Sequence, residues 1–271
     1  MEPENLYQIQ ATPDNYPVAQ LLEAAQFTSV LDGYDTILIK PNLVETLQPP
    51  VTTPAALIRE LVIYLKTIST AEIIIGEGTG ATAYDTFHAF DVLGYTTMAQ
   101  SLGIQLLDLN EEPLIALRDE RCERWPEMFL PEIALNSFLL SVPVLKAHSL
   151  AGVTLTMKNM MGLAPPAHFQ QGGGWKKSAF HFKIQDAVAD LNRYRTPDFT
   201  LLDATIGMAQ AHLWGPTCDP PPQLLIAGRD PVAVDAYGAQ LLTRHWSDIG
   251  HIKKVHQELG VAEPLHVMNA G

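Results

Sequence analysis

Residues 36–80, TILIKPNLVETLQPPVTTPAALIRELVIYLKTISTAEIIIGEGTG, decide the fold. Thr36-Ile37-Leu38-Ile39 is a run rich in β-branched residues that reads as a strand, and Lys40-Pro41-Asn42 ends it. Val51-Thr52-Thr53-Pro54 is the start of a helix that runs to about Lys66, with Thr53 as the cap and Pro54 in the first turn. Residues 72–75 make the next strand, closed by Gly76-Glu77-Gly78-Thr79-Gly80. Strand, helix and strand at this spacing form a βαβ unit, which commits this part of the chain to a parallel sheet.

A second stretch carries the same logic toward the site. Residues 136–165, NSFLLSVPVLKAHSLAGVTLTMKNMMGLAP, open with the apolar run 138–145, short enough for one buried strand, after which come Lys146 and His148. A run at 153–157 reads as another strand, ending in Lys158 and Asn159; Gly162 and Pro165-Pro166 then stop any regular element. Elsewhere, helical spacing marks 17–30, 83–93, 97–102, 182–194 and 248–259. Strands are expected at 104–107, 200–203 and 224–227. Asp230-Pro231 caps and opens a helix over 232–242. The fold class is therefore α/β: a mixed, mostly parallel sheet with helices on both faces, in one domain spanning 1–271. It carries an irregular surface excursion at 111–131 and a mobile Gly-rich loop at 168–178.

Composition bounds the partners. An apolar fraction of 47% with 17% charged residues is that of a globular protein, so large-scale disorder is not expected. A net charge of -13 argues against a general nucleic-acid or anionic-membrane surface, yet leaves room for a basic pocket inside an acidic shell. No window has the apolar length of a spanning helix, and the start MEPENLYQIQ lacks the basic and apolar run of a secretory signal. Cys122 and Cys218 stand far apart in no CxxC pattern, which fits a reduced cytoplasmic chain with no iron-sulfur cluster of its own.

Four strand ends carry polar groups: Lys40 with Asn42, Glu77, Lys146 with His148, and Asp203. In a parallel sheet those ends share one edge, where open α/β sheets place their ligands. A lysine after a strand is usually solvated and an acid there often caps the next helix, so it is the set that points to a site. His148, His168 and His181 flank the Gly-rich loop; as a trio they suit zinc or a related divalent ion, with Asp203 or Glu77 as a fourth ligand. Singly, His181 flanks its helix and His168 is an exposed loop residue. Gly76, Gly78 and Gly80 fall short of GxGxxG and no Walker lysine follows, so a tight turn accounts for them. Gly172-Gly173-Gly174-Trp175-Lys176-Lys177 is read as a flexible lid before a phosphate wrap.

IKPNLV at 39–44, VTTP at 51–54, IIIGEG at 73–78, SVPVLKAH at 141–148, VTLTMKNMMG at 153–162, LLDA at 201–204 and GRDPVAVDA at 228–236 together resemble the family catalogued as domain of unknown function 362. The resemblance implies an α/β protein of unassigned activity, often fused to a ferredoxin-type iron-sulfur module and so expected in a redox or cofactor role. This chain lacks the cysteines for such a cluster and reads as a stand-alone member, so a redox role here needs a separate partner. The expectation is an enzyme or cofactor-handling protein that binds a small anionic ligand, with a divalent metal as an optional aid. Lys146, Lys158 and His148 would be catalytic, and Lys40, Asn42, Thr52, Thr53, Glu77, Asn159, Gly162 and Asp203 would bind the ligand. The alternative is a non-catalytic subunit that docks to an iron-sulfur or other redox partner.

Overall fold

A computed structural model describes all of residues 1–271. Its twelve strands are β1 (Asn5–Gln10), β2 (Thr36–Pro41), β3 (Glu72–Glu77), β4 (Gln105–Asp108), β5 (Leu114–Arg118), β6 (Glu127–Pro131), β7 (Phe138–Val142), β8 (Val144–His148), β9 (Gly152–Thr154), β10 (Phe199–Met208), β11 (Leu224–Gly228) and β12 (His266–Asn269). Ten of them form one sheet in the order β12-β1-β11-β10-β7-β2-β3-β4, with β8 and β9 branching from β10; β5 and β6 pair separately. The βαβ unit is realised: β2 and β3 are parallel neighbours, Thr36 opposite Glu72 and Ile39 opposite Ile75, joined by the helix Ala55–Ile68. The pairs β2/β7, β7/β10, β8/β10 and β3/β4 are also parallel, whereas β11 runs antiparallel to β10 and to β1. The result is a mostly parallel mixed sheet.

The period of two along each strand divides the apolar residues between two cores. Ile37, Ile39, Ile73, Ile75, Phe138 and Leu140 pack with Leu57, Leu61 and Leu65 of the Ala55–Ile68 helix and with Leu21 and Leu22 of the helix Val18–Ala24. Leu38, Ile74, Leu139 and Leu202 face the other way, onto Ile184, Val188 and Leu191 of the helix Ile184–Tyr194 and Val232 and Ala236 of the helix Pro231–Leu241. Helices thus cover both faces. No helix is long and apolar enough to cross a membrane.

Several sequence expectations shift. The run 138–145 is two strands, because Pro143 cannot donate to a ladder and separates β7 from β8. Residues 153–157 do not continue as a strand: β9 stops at Thr154 and one helical turn, Thr156–Asn159, follows. The excursion at 111–131 is not loose surface, since the β5–β6 hairpin and its connection bury Trp125, Met128 and Leu130 against the larger core, and Cys122 is buried as well. Thr53 does not cap its helix. Pro54 occupies that position without a side-chain bond, while the Thr53 hydroxyl accepts from the Asn42 amide and donates to the Val142 carbonyl. The helices expected at 17–30 and 248–259 are shorter, Val18–Ala24 and Gly250–Val255, and two further strands, β1 and β12, pair in parallel with β12 at the sheet edge.

Candidate functional site

Strand β2 has β3 on one side and β7 on the other, so the chain direction through the sheet reverses there, and the carboxyl ends of β2, β3 and β8 open onto one hollow. A cavity of about 200 Å³ lies at that edge. Its floor is a single hydrogen-bonded network. Lys40 Nζ donates to both Glu77 oxygens at 2.9 and 2.8 Å and to Asn159 Oδ1 at 3.3 Å. Asn42 donates to the same Asn159 oxygen at 3.0 Å, and Lys146 Nζ donates to Asn42 Oδ1 and to the Val51 carbonyl, each at 2.7 Å. Asn159 Nδ2 returns the chain to the Lys40 carbonyl and to Ser141 Oγ. Five polar residues separated by more than a hundred positions are thereby fixed together, which is what the strand-end reasoning expected of Lys40, Asn42, Glu77, Lys146 and Asn159.

The glycines at this edge serve close approach. A methyl group on Gly162 would sit 2.1 Å from Glu77 Oε1 and 2.5 Å from Lys40 Nζ, so this position must stay bare for the backbone to lie against the buried ion pair. The one-turn helix Thr156–Asn159 is pinned by Asp235, whose carboxyl accepts the Thr156 and Met157 N–H groups at 2.8 and 3.1 Å. Burial pushes that carboxyl up to about 8, against the two amide bonds that pull it down.

Four side chains in the cavity wall have polar atoms that the protein leaves unpaired. Lys158 Nζ makes no hydrogen bond or ion pair, and burial lowers its ammonium to about 8. Thr154 Oγ1, His148 Nε2 and His212 Nδ1 are buried without a partner. His148 is informative about its proton: Nδ1 accepts the Leu150 and Ala151 N–H groups at 3.0 and 3.1 Å, so the neutral ring carries its hydrogen on Nε2, which has no partner within the protein. Burial first, then the charge of Lys158, keeps this ring neutral down to about 2. A ring in this state donates; its one lone pair is already used, so it is unsuited to act as a base or to ligate a metal through Nε2. Burial lowers Lys146 well below the ordinary lysine range, helped by the neighbouring Lys158 charge.

Other expected site residues lie elsewhere. Asp203 is in the middle of β10, not at a strand end, and its carboxylate accepts from Thr205 N and Oγ1, outside the cavity wall. Thr52 donates to the Leu47 carbonyl and Thr53 to that of Val142, so both hydroxyls serve the loop that presents Val51 to Lys146. The histidine trio is not assembled: His148 and His181 line the cavity, but His168 stacks on Phe129 at 3.7 Å between ring centroids, and no group of three His, Cys, Asp or Glu side chains is arranged to hold a metal. The Gly-rich segment is anchored at its end. Lys177 is buried in the cavity wall, donating to Asn110 Oδ1 and the Ala164 carbonyl, and burial lowers it to about 7. His212, which no sequence motif marks, stacks on His148 at 4.0 Å between ring centroids and lines the cavity with Trp214. Its only sequence signal is that it lies in the Gly/Pro-rich connection after β10, too distant in order to be tied to His148.

The model of the family described as Domain of unknown function (DUF362) matches residues 37–240. The chain belongs to that family, and the match spans the strands that build the cavity floor and the segments that close it. No curated protein matches the chain.

Proposed function

We propose that the cavity binds a small anionic ligand, as an enzyme or cofactor-handling protein would. The observation that carries this reading is the convergence on one hollow of groups with no partner: Nζ of the half-buried Lys158, and the buried His148 Nε2–H and Thr154 Oγ1. Buried donors left unpaired cost free energy, and an anion with two or three oxygens supplies what they lack. Lys146 and Lys177 stand beside them as further nitrogen donors, while the one carboxylate in the wall, Glu77, is already neutralised by Lys40. A divalent metal would have to arrive with the ligand, because the wall offers it no set of three donors.

The test is thermal unfolding of the purified protein with sulfate, phosphate, acetate, oxalate and glyoxylate, followed by calorimetric titration of any that stabilise. Saturable stabilisation by at least one anion, lost when Lys158 is replaced by methionine, is the expected result. The alternative reading, a non-catalytic subunit docking on an iron-sulfur or other redox partner, draws on Leu150 and Trp214, which stand exposed at the cavity rim. If no anion stabilises the protein while a Trp214→Ala variant loses capture of a ferredoxin-type partner, that reading replaces the first.

A further inference from the structure

The proposed site holds three lysines in its wall, and they are not equivalent. Lys146 is committed to Asn42 Oδ1 and the Val51 carbonyl; Lys177 is committed to Asn110 Oδ1 and the Ala164 carbonyl. Lys158 alone is uncommitted, and it is carried on a helical turn that is itself held rigid, by Asp235 at Thr156 and Met157 and by Asn159 within the floor network. A lysine kept only to neutralise an anion has no need of such isolation. An uncommitted, desolvated amine beside other cations, fixed on a rigid frame, is the arrangement that makes lysine a nucleophile toward carbonyl carbon.

We infer that Lys158 forms an imine with a small aldehyde or 2-oxo acid whose carboxylate is held by the neighbouring lysines. This rests on the anion-binding reading of the same cavity and specifies the class of anion. In the step, the neutral Nζ adds to the carbonyl carbon, a C–N bond forms, and the former carbonyl oxygen takes up a proton. The carbinolamine then loses that oxygen as water as the nitrogen gives up its hydrogen, leaving C=N with no net change of oxidation state. His148 Nε2–H and Thr154 Oγ1, both unpaired in the wall, are the groups available to donate to the carbonyl oxygen. Burial that lowers the Lys158 ammonium to about 8 leaves a useful fraction of free amine near neutral pH, where a solvated lysine has almost none.

The experiment is reductive trapping of the full-length protein with glyoxylate and sodium cyanoborohydride at pH 7.5, read by peptide mass spectrometry. Carboxymethylation is expected to appear on Lys158 at least tenfold faster than on any other lysine, to slow in the presence of a saturating anion from the stabilisation series, and to vanish in Lys158→Arg. Anion stabilisation with labelling spread evenly over surface lysines overturns the imine and leaves the binding reading standing. Absence of both anion stabilisation and selective labelling overturns the two together.

Discussion

Lys146 and Lys158 sit in one wall and differ in what removing them does. Lys146→Met strips the donor from Asn42 Oδ1 and from the Val51 carbonyl, both buried, and should destabilise the protein by about 3 kcal/mol, since each orphaned acceptor costs about 1–3 kcal/mol. Lys158→Met removes a half-buried ammonium with no hydrogen-bond partner and should leave stability within about 0.5 kcal/mol of the parent, while weakening anion affinity about tenfold or more. Urea denaturation with calorimetric titration separates the two; equal loss of stability in both variants would mean that Lys158 is structural. Both lysines were legible in the sequence as polar residues at the ends of apolar runs. The difference between them was not, because it depends on which carbonyls and amides fold back upon each one. The same holds for His148, which reads as an acid/base or metal residue until the Leu150 and Ala151 amides are seen to fix its proton on Nε2.

At the level of elements, the parallel sheet and its ligand edge followed from one βαβ unit, because period-two burial and helix length are local properties of the chain. What local pattern misjudged were the short pieces. Residues 153–157 look like a strand by composition, yet the backbone turns after Thr154 because a buried carboxyl group from a distant helix, Asp235, offers the Thr156 and Met157 amides a better partner than a ladder would. Asp203 shows the reverse error: β10 continues past it to Met208, so an acid that seemed to end a strand is inside one. The clamp on the helical turn gives a direct prediction. Asp235→Ala leaves two buried N–H groups unsatisfied and should cost about 3 kcal/mol or more, with anion affinity falling in step because the turn carries Lys158 and Asn159; Asp235→Asn keeps one acceptor oxygen and should cost about 1 kcal/mol. Denaturant midpoints and ligand-induced stabilisation measured on both variants check it, and an Asp235→Ala protein as stable and as tight-binding as the parent would remove the clamp from the account.

The whole molecule is strongly acidic at -13, yet the groups that burial perturbs most include histidines kept neutral, and this sets how stability responds to pH. In the folded chain, burial holds His148 neutral to about 2 and His212 and His251 neutral to about 3. Once unfolded, all three take up protons below about 6.5, so acid favours the unfolded state. Asp235 acts in the opposite sense: burial keeps its carboxyl protonated up to about 8, whereas the unfolded chain gives up that proton above about 4. As pH falls through the window from 6.5 to 5, the unfolded chain gains three histidine protons against the one that Asp235 retains in the fold, so stability should fall toward the acid end of the window. Asp235→Asn abolishes the opposing contribution, so its slope should be steeper than the parent's by about 1.4 kcal/mol per pH unit. Urea denaturation of parent and variant at pH 6.5, 5.5 and 5.0 measures both slopes. A parent whose stability is flat or rises on acidification, or a variant with the parent's slope, would show that these buried groups titrate much as they do in the unfolded chain and that the cavity is far wetter than its geometry implies.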